Sequence, residues 1–216
     1  MSKTSSRSDG ATTKQKILTT AIGLFAKQGF VNTPNKQIAE QAEVDLASIN
    51  YHFKNRNGLY QAALIKAHSK LFKLENLQAI EALEVSAEEK LKLIIGSLCH
   101  SEIRHENAYG QVLAREILSP TSNLLALLTH EVQPKLLIVI KVISELTGIP
   151  LSSPKLKLCL LNVGGPCLMM LLASGDFPGP LKEIKQVDSD YLTNHMYTFC
   201  LAGLKAVSEM YREMEA

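Results

Sequence analysis

Residues Thr33–Leu59 read TPNKQIAEQAEVDLASINYHFKNRNGL. Thr33 is a favourable N-cap, and Pro34 then stands at the one helical position where a missing N–H costs nothing. Ile38, Ala39 and Ala42 give this short helix a buried side. Asp45 opens a second helix, on which Ile49 and Phe53 lie four apart and share the inner face. Lys54-Asn55-Arg56-Asn57-Gly58 ends it. Ala39 is small enough for the two helices to cross closely, with Val44 closing the turn between them. This is the layout of a helix-turn-helix, whose second helix enters the DNA major groove.

The residues left facing outward fit that use. Ala47 lets the backbone sit deep in the groove, while Ser48 and Asn50 can hydrogen-bond base edges. Tyr51 and His52 are placed for phosphates, flanked by Lys54 and Arg56. Thr33, Lys36 and Gln37 open the supporting helix, toward the DNA backbone. The charge distribution agrees. Residues 1–60 hold eight Lys/Arg against four acids, so the overall +2 is concentrated beside this motif, and the remainder is net acidic.

Working outward, Thr13 can cap a first helix carrying Ile17, Leu18, Ala21, Ile22 and Phe25 on one face, with Gly29 as its stop. Residues 1–12 are polar and read as a disordered arm, not a signal peptide. Leu59 to about Leu83 reads as one long helix. Ser86-x-x-Glu89 is a capping box for the next, which bears Leu91, Ile94, Ile95 and Leu98. Further helices fit Tyr109–Leu118, then Thr121 or Ser122 toward Gly148 with a kink at Pro134, then Pro154–Ser174 and Ser189–Met214. No segment reads as a strand. The expected architecture is all-α: a three-helix DNA-binding domain at 13–58, then a larger helical domain at 59–216 for effector binding and dimerisation.

Several functions are disfavoured. The chain has no phosphate-binding glycine loop, no G-x-S-x-G and no strand–helix alternation, so neither catalysis nor a cofactor is expected. His100 and His105 are five apart, off the spacing that shares a helix face, and with Glu102 and Glu106 they read as solvated side chains, not a metal site. Cys99, Cys159, Cys167 and Cys200 form no Cys-x-x-Cys pair and suit buried thiols in a reducing cytoplasm. Leu158–Gly175 is uncharged, but Asn162 and Gly164-Gly165-Pro166 argue for a buried, kinked helix and against a membrane span. A helical protein-interaction module is the alternative, although it would have no need of Lys36, His52, Lys54 and Arg56 on one surface.

The first sixty residues resemble the TetR family of bacterial regulators. The resemblance rests on Ile17, Ala21, Phe25, Gly29, Thr33, Ile38-Ala39, Ala42, Val44, Ile49, Tyr51-His52-Phe53-Lys54 and Leu59. Ile49-Asn50-Tyr51-His52-Phe53, with Arg115-Glu116-Ile117-Leu118-Ser119-Pro120, is similar to a CecR-type subgroup of drug-sensitivity regulators. Two residues depart from the pattern. Glu43 replaces the usual turn glycine, at some conformational cost, and Asn50 replaces the usual tyrosine of the reading helix.

The resemblance implies a homodimer reading a palindromic operator in double-stranded DNA and acting as a repressor that a small molecule relieves; an activator is the alternative. It places the dimer contact on the last two helices, where Cys159, Leu160, Val163, Leu168, Leu171 and Leu172 accompany Tyr197, Leu201, Leu204 and Val207. Periodicity alone fits intramolecular packing of these residues equally well. It also implies an effector pocket in the larger domain, for which Leu98, His105, Tyr109, Val112, Glu116, Leu128, Asn162 and Met169 offer mixed apolar and polar lining.

Overall fold

The computed structural model describes residues 5–101, 107–172, 183–184 and 186–215. Among these every element of regular secondary structure is helical. It begins with α1 (Ser5–Gln28), α2 (Asn35–Gln41), α3 (Leu46–Phe53), α4 (Arg56–Leu71), α5 (Leu74–Glu81) and α6 (Ala87–Cys99). Then follow α7 (Ala108–Leu118), α8 (Leu124–Leu127), a π-helical turn over Leu128–Val132, α9 (Gln133–Thr147), α10 (Pro154–Leu172) and α11 (Ser189–Glu215). The chain divides into two compact units, residues 1–70 with 108–131 and residues 71–107 with 132–216. The boundary expected at residue 59 lies inside α4, which the first unit includes up to residue 70, together with the segment that carries α7.

In the first unit α1 packs against α2, α3 and α7. Ile17, Phe25, Ile38, Ile49, Leu59 and Leu64 are fully buried, each contributing about 1.5–3 kcal/mol by leaving water. Helix α1 starts at Ser5, eight residues before the expected Thr13 cap. Residues 5–12 contain no proline, and extending a nucleated helix costs far less than starting one. Pro34, not Thr33, occupies the N-cap of α2, in extended conformation.

In the second unit α6 packs on α5, α9 and α11, and α9 packs on α10. The core gathers Leu91, Ile94, Ile95, Ile143, Leu156 and Leu192 with all four cysteines, which are free thiols. The capping box is present as expected, with Ser86 Oγ accepting from the Glu89 N–H and Glu89 accepting from the Ser86 N–H at 3.0 Å. Gly148 closes α9 at φ 72°, the left-handed geometry that glycine adopts without strain.

The single long fourth helix and the full burial of the tenth are corrected. The single helix over 59–83 is broken at Phe72–Lys73. No glycine or proline marks that break; Leu77 beyond it belongs to the core of the second unit. Helix α10 runs through Gly164, Gly165 and Pro166 as one element, close to the expected Pro154–Ser174, but it is not buried all round. It is long and apolar enough to cross a membrane by composition, yet only one side is buried. Leu156, Cys159, Val163, Cys167 and Met170 face the core, while Leu158, Leu161, Leu168 and Met169 are exposed.

Candidate nucleic-acid interface

The turn between α2 and α3 is tight. The Val44 N–H donates to Ala39 O at 3.0 Å, and Glu43 sits at φ 50°. A residue with a Cβ is strained there, as its replacement of the family's glycine suggests. Glu43 is tied across the unit by Lys16 of α1, whose ammonium lies 2.7 Å from Oε2. That hydrogen bond and charge hold the Glu43 carboxyl below the ordinary carboxylate range.

Asp45 occupies the N-cap of α3, although only its carbonyl is used, accepting from the Ser48 N–H at 2.9 Å. Ile49 and Phe53 are buried as the spacing predicts, while Ala47, Asn50 and Tyr51 are exposed. Tyr51 is 84% exposed, a large aromatic left in water on the outer face. Its ring meets His52 edge-on at 4.9 Å. Ser48 and His52 are half-buried beside them. On α2, Lys36 is exposed, 3.9 Å from Glu40, and Gln37 is half-buried.

Lys54 lies at φ 67°, ψ −51°, with the Asn55 N–H donating to Phe53 O at 2.8 Å. This is a γ-turn of the strained, positive-φ kind, and it leaves the Lys54 side chain exposed at the end of α3. The next residues lock it. Asn55 Oδ1 accepts from the Gly58 N–H at 2.9 Å, and a Cβ at Gly58 would lie 2.1 Å from Phe53 O. Lys14 of α1, absent from the expected site, places its ammonium 5.8 Å from the Phe53 ring centroid. Its only sequence signal was a basic residue on the polar face of the first helix.

Two expected phosphate contacts are corrected. Thr33 is fully buried, and its hydroxyl donates to Gly29 O at 2.7 Å. Arg56 is turned inward. Its guanidinium donates to Phe30 O and, at 2.9 Å, to Val31 O, and it lies 4.5 Å over the Phe30 ring. Of the other expected contacts, Lys36, Ala47, Asn50, Tyr51 and Lys54 are exposed and Gln37, Ser48 and His52 half-buried.

The expected effector lining does not gather within either unit. Tyr109, Val112, Glu116 and Leu128 belong to the first unit, and Leu98, Asn162 and Met169 to the second. His105, Glu102 and Glu106 lie outside the described residues. Leu128, Asn162 and Met169 are exposed.

Glu116 is 1% exposed and already occupied. It accepts from Tyr60 Oη at 2.9 Å and from the Thr121 N–H and hydroxyl at 3.0 and 2.9 Å. Burial, followed by the Glu116 charge, pushes the Tyr60 phenol well above its ordinary value. Asn162 borders a cleft of about 330 Å³ between α10 and α11, with Cys159, Phe199 and Cys200. Burial raises the thiols of Cys159 and Cys200, and that of Cys167 to about 12. His100 pairs with Asp190 at 3.1 Å, and no group of three or more metal-ligating side chains occurs among the described residues.

Comparison with known proteins agrees with this geometry. Residues 17–63 match the family described as "Bacterial regulatory proteins, tetR family". Residues 87–177 match "HTH-type transcriptional dual regulator CecR, C-terminal domain". The "Probable HTH-type transcriptional regulator YttP" of Bacillus subtilis is 29% identical over 116 residues, 50% of this chain and 56% of that protein. The chain thus spans little more than half the length of that relative. The fold resembles the transcriptional regulator FadR from Bacillus subtilis, solved in complex with stearoyl-CoA, with a TM-score of 0.68 and 17% identity over 88% of this chain and 98% of that one. The fatty acid degradation regulator FadR from Bacillus halodurans also gives a TM-score of 0.68, with 15% identity over 89% of this chain and 96% of that one.

Proposed function

This chain belongs to the TetR family of bacterial transcriptional regulators, and from that premise we propose that it is a cytoplasmic repressor that binds a palindromic operator as a homodimer and releases it on binding a small molecule. The observation that carries the reading is the outer face of α3. Ala47, Asn50 and Tyr51 stand in solvent there on a helix otherwise anchored by Ile49 and Phe53, with Lys54 held at its end. Small and polar groups on an exposed helix beside a cation suit base edges and phosphates. An enzyme has no corresponding need for them.

Dimerisation is supported by the apolar surface of the last two helices. Of the residues expected at the contact, Cys159, Val163, Leu171 and Leu204 are buried in the chain's own core, whereas Leu158, Leu161 and Leu168 of α10 and Phe199, Met210 and Met214 of α11 are exposed in the single chain, large apolar side chains of the kind that interaction surfaces carry. Sedimentation equilibrium tests this, and a monomer at micromolar concentration would refute it. The effector we propose is apolar or amphipathic. The structural likeness to a regulator crystallised with stearoyl-CoA supports that class, as does the CecR-type match. A second reading, activation, draws on the words "dual regulator" in that match.

The deciding experiment is a fluorescence-anisotropy titration with the DNA upstream of its own gene. Binding should weaken steeply as salt rises, because phosphate contacts release counterions. Absent or salt-insensitive binding to every neighbouring promoter refutes the regulatory reading. Long-chain acyl-CoA and apolar antibiotics are then tested for operator release, and a promoter fusion separates repression from activation.

A further inference from the structure

The segment that leads out of α1 has an unusual property. Every backbone carbonyl from Ala26 to Val31 accepts a hydrogen bond from a side chain. Ala26 O and Lys27 O are held by Arg115 of α7, from Nε at 2.6 Å and Nη2 at 3.0 Å. Gln28 O accepts from Asn32 Nδ2 at 3.2 Å, and Gly29 O from the Thr33 hydroxyl at 2.7 Å. Phe30 O and Val31 O are held by Arg56 at the start of α4. The last carbonyls of a helix have no partner within it and carry its negative dipole end. The Arg115 guanidinium therefore satisfies both needs at the end of α1, while Arg56 holds the two carbonyls that follow it.

Helix α7 grips the same unit a second time with the next residue. Glu116 accepts from Tyr60 of α4, whose ring stacks on Phe30 at 4.6 Å. Phe30 is thus held between Tyr60 and the Arg56 guanidinium. The corner matters because α2 and α3 both pack on α1, so the end of α1 fixes where the chain enters the helix-turn-helix. Both ends of the 108–131 segment are continuous with the second unit, and no other described segment of the first unit enters and leaves in this way.

We propose that Arg115 is a positioning residue for operator binding, which never meets DNA but holds the α1 end in the geometry that the helix-turn-helix requires. An exposed arginine in a basic DNA-binding unit would ordinarily be taken for a phosphate contact. Here its fork is aimed at two carbonyls of its own chain. The proposal rests on the regulatory reading above and adds to it the point at which α7 holds the end of α1. It also gives a role to the Arg115-Glu116 pair, which the DNA face leaves unused.

The test uses the full chain and its operator, with Arg115→Gln and Arg115→Lys compared with the unaltered protein by anisotropy across a salt series. Arg115→Gln should lose operator affinity on the order of tenfold, the scale of one charge-assisted hydrogen bond, with the slope of log affinity against log salt unchanged. Arg115→Lys should recover part of the affinity, because an ammonium can hold one carbonyl of the two.

Unchanged affinity for Arg115→Gln overturns the proposal. So does a slope smaller by about one, which identifies a phosphate contact. Should the Gln variant fail to fold, Arg115→Lys carries the same test, with a smaller loss at constant slope expected and no loss or a reduced slope refuting. If the unaltered chain binds no promoter DNA, the regulatory reading itself falls. Binding by the unaltered chain with equal binding by the variants sinks the positioning role alone.

Discussion

Replacing Tyr60 with phenylalanine removes one oxygen and leaves the ring where it is. The ring contacts with Phe30 at 4.6 Å and Phe25 at 4.8 Å survive. What is lost is the 2.9 Å bond to Glu116 Oε2, in a site where Tyr60 is 2% exposed and Glu116 1%. The remaining donors, both from Thr121, go to Oε1, so the change leaves Oε2 unpaired in a buried site. A hydrogen bond to a charged acceptor is worth about 1.5–3 kcal/mol, and a buried acceptor left unpaired lies toward the upper part of that range.

For a chain of this length, about 2 kcal/mol corresponds to roughly 4–8 °C in the melting temperature. The assay is thermal unfolding by circular dichroism at pH 7, repeated up to pH 11.5. The pH arm has a definite sign. The folded-state phenol is held above its ordinary 10.0, so its contribution is complete below pH 10. It is then lost as pH rises, because the unfolded chain ionises there while the folded one resists. The gap between the unaltered protein and Tyr60→Phe should therefore stay constant to about pH 10 and narrow above it. The other tyrosines cancel in the difference. A gap under about 1 °C at pH 7, or one that does not narrow in alkali, refutes the buried Tyr60–Glu116 bond as a source of stability.

Three further outcomes are expected. Gly58→Ala places a Cβ 2.1 Å from Phe53 O, against backbone that cannot swing aside; it should cost more than about 2 kcal/mol in a chemical melt, and a change within error would show that the Lys54 turn relaxes freely. Asn50→Ala should reduce the affinity ratio between operator and scrambled DNA, while Lys54→Ala should weaken both alike and lower the salt slope by about one; an unchanged ratio for Asn50→Ala would remove it from the base-reading face. All four thiols are buried, with Cys167 raised to about 12, so a thiol reagent at pH 7.5 should label the native chain slowly and all four cysteines promptly in denaturant. Prompt labelling of the native chain would contradict that burial.

Those residues differ in how plainly the sequence announced them. The helix-turn-helix was legible because its logic is local. Apolar residues recur at helical spacing, Asp45 stands at a cap, and Gly58 ends a polar break, all within one 27-residue stretch that needs no distant partner to be read. The Ser86–Glu89 box was legible for the same reason.

Thr33 and Arg56 were misread because residue type and neighbourhood suit both a phosphate and a carbonyl. What decides between them is Gly29 O four residues back, and Phe30 O twenty-six residues back. Glu116, a lone carboxylate among apolar residues, looks available to a ligand until its partner Tyr60, 56 positions away, is known. Arg115 reaches across 89. No periodicity connects such pairs, so a sequence reading finds the surface that meets DNA more readily than the bonds that hold it in shape. The expected effector lining was open to the same difficulty, because each choice is apolar or polar enough taken singly, and only the division of the chain at 70, 107 and 131 shows that the residues are spread over both units. A mutational search for the regulatory connection should therefore begin at the side chains that bond backbone far away in sequence. Arg115 comes first among them, because it alone of the residues that hold the end of α1 stands on α7.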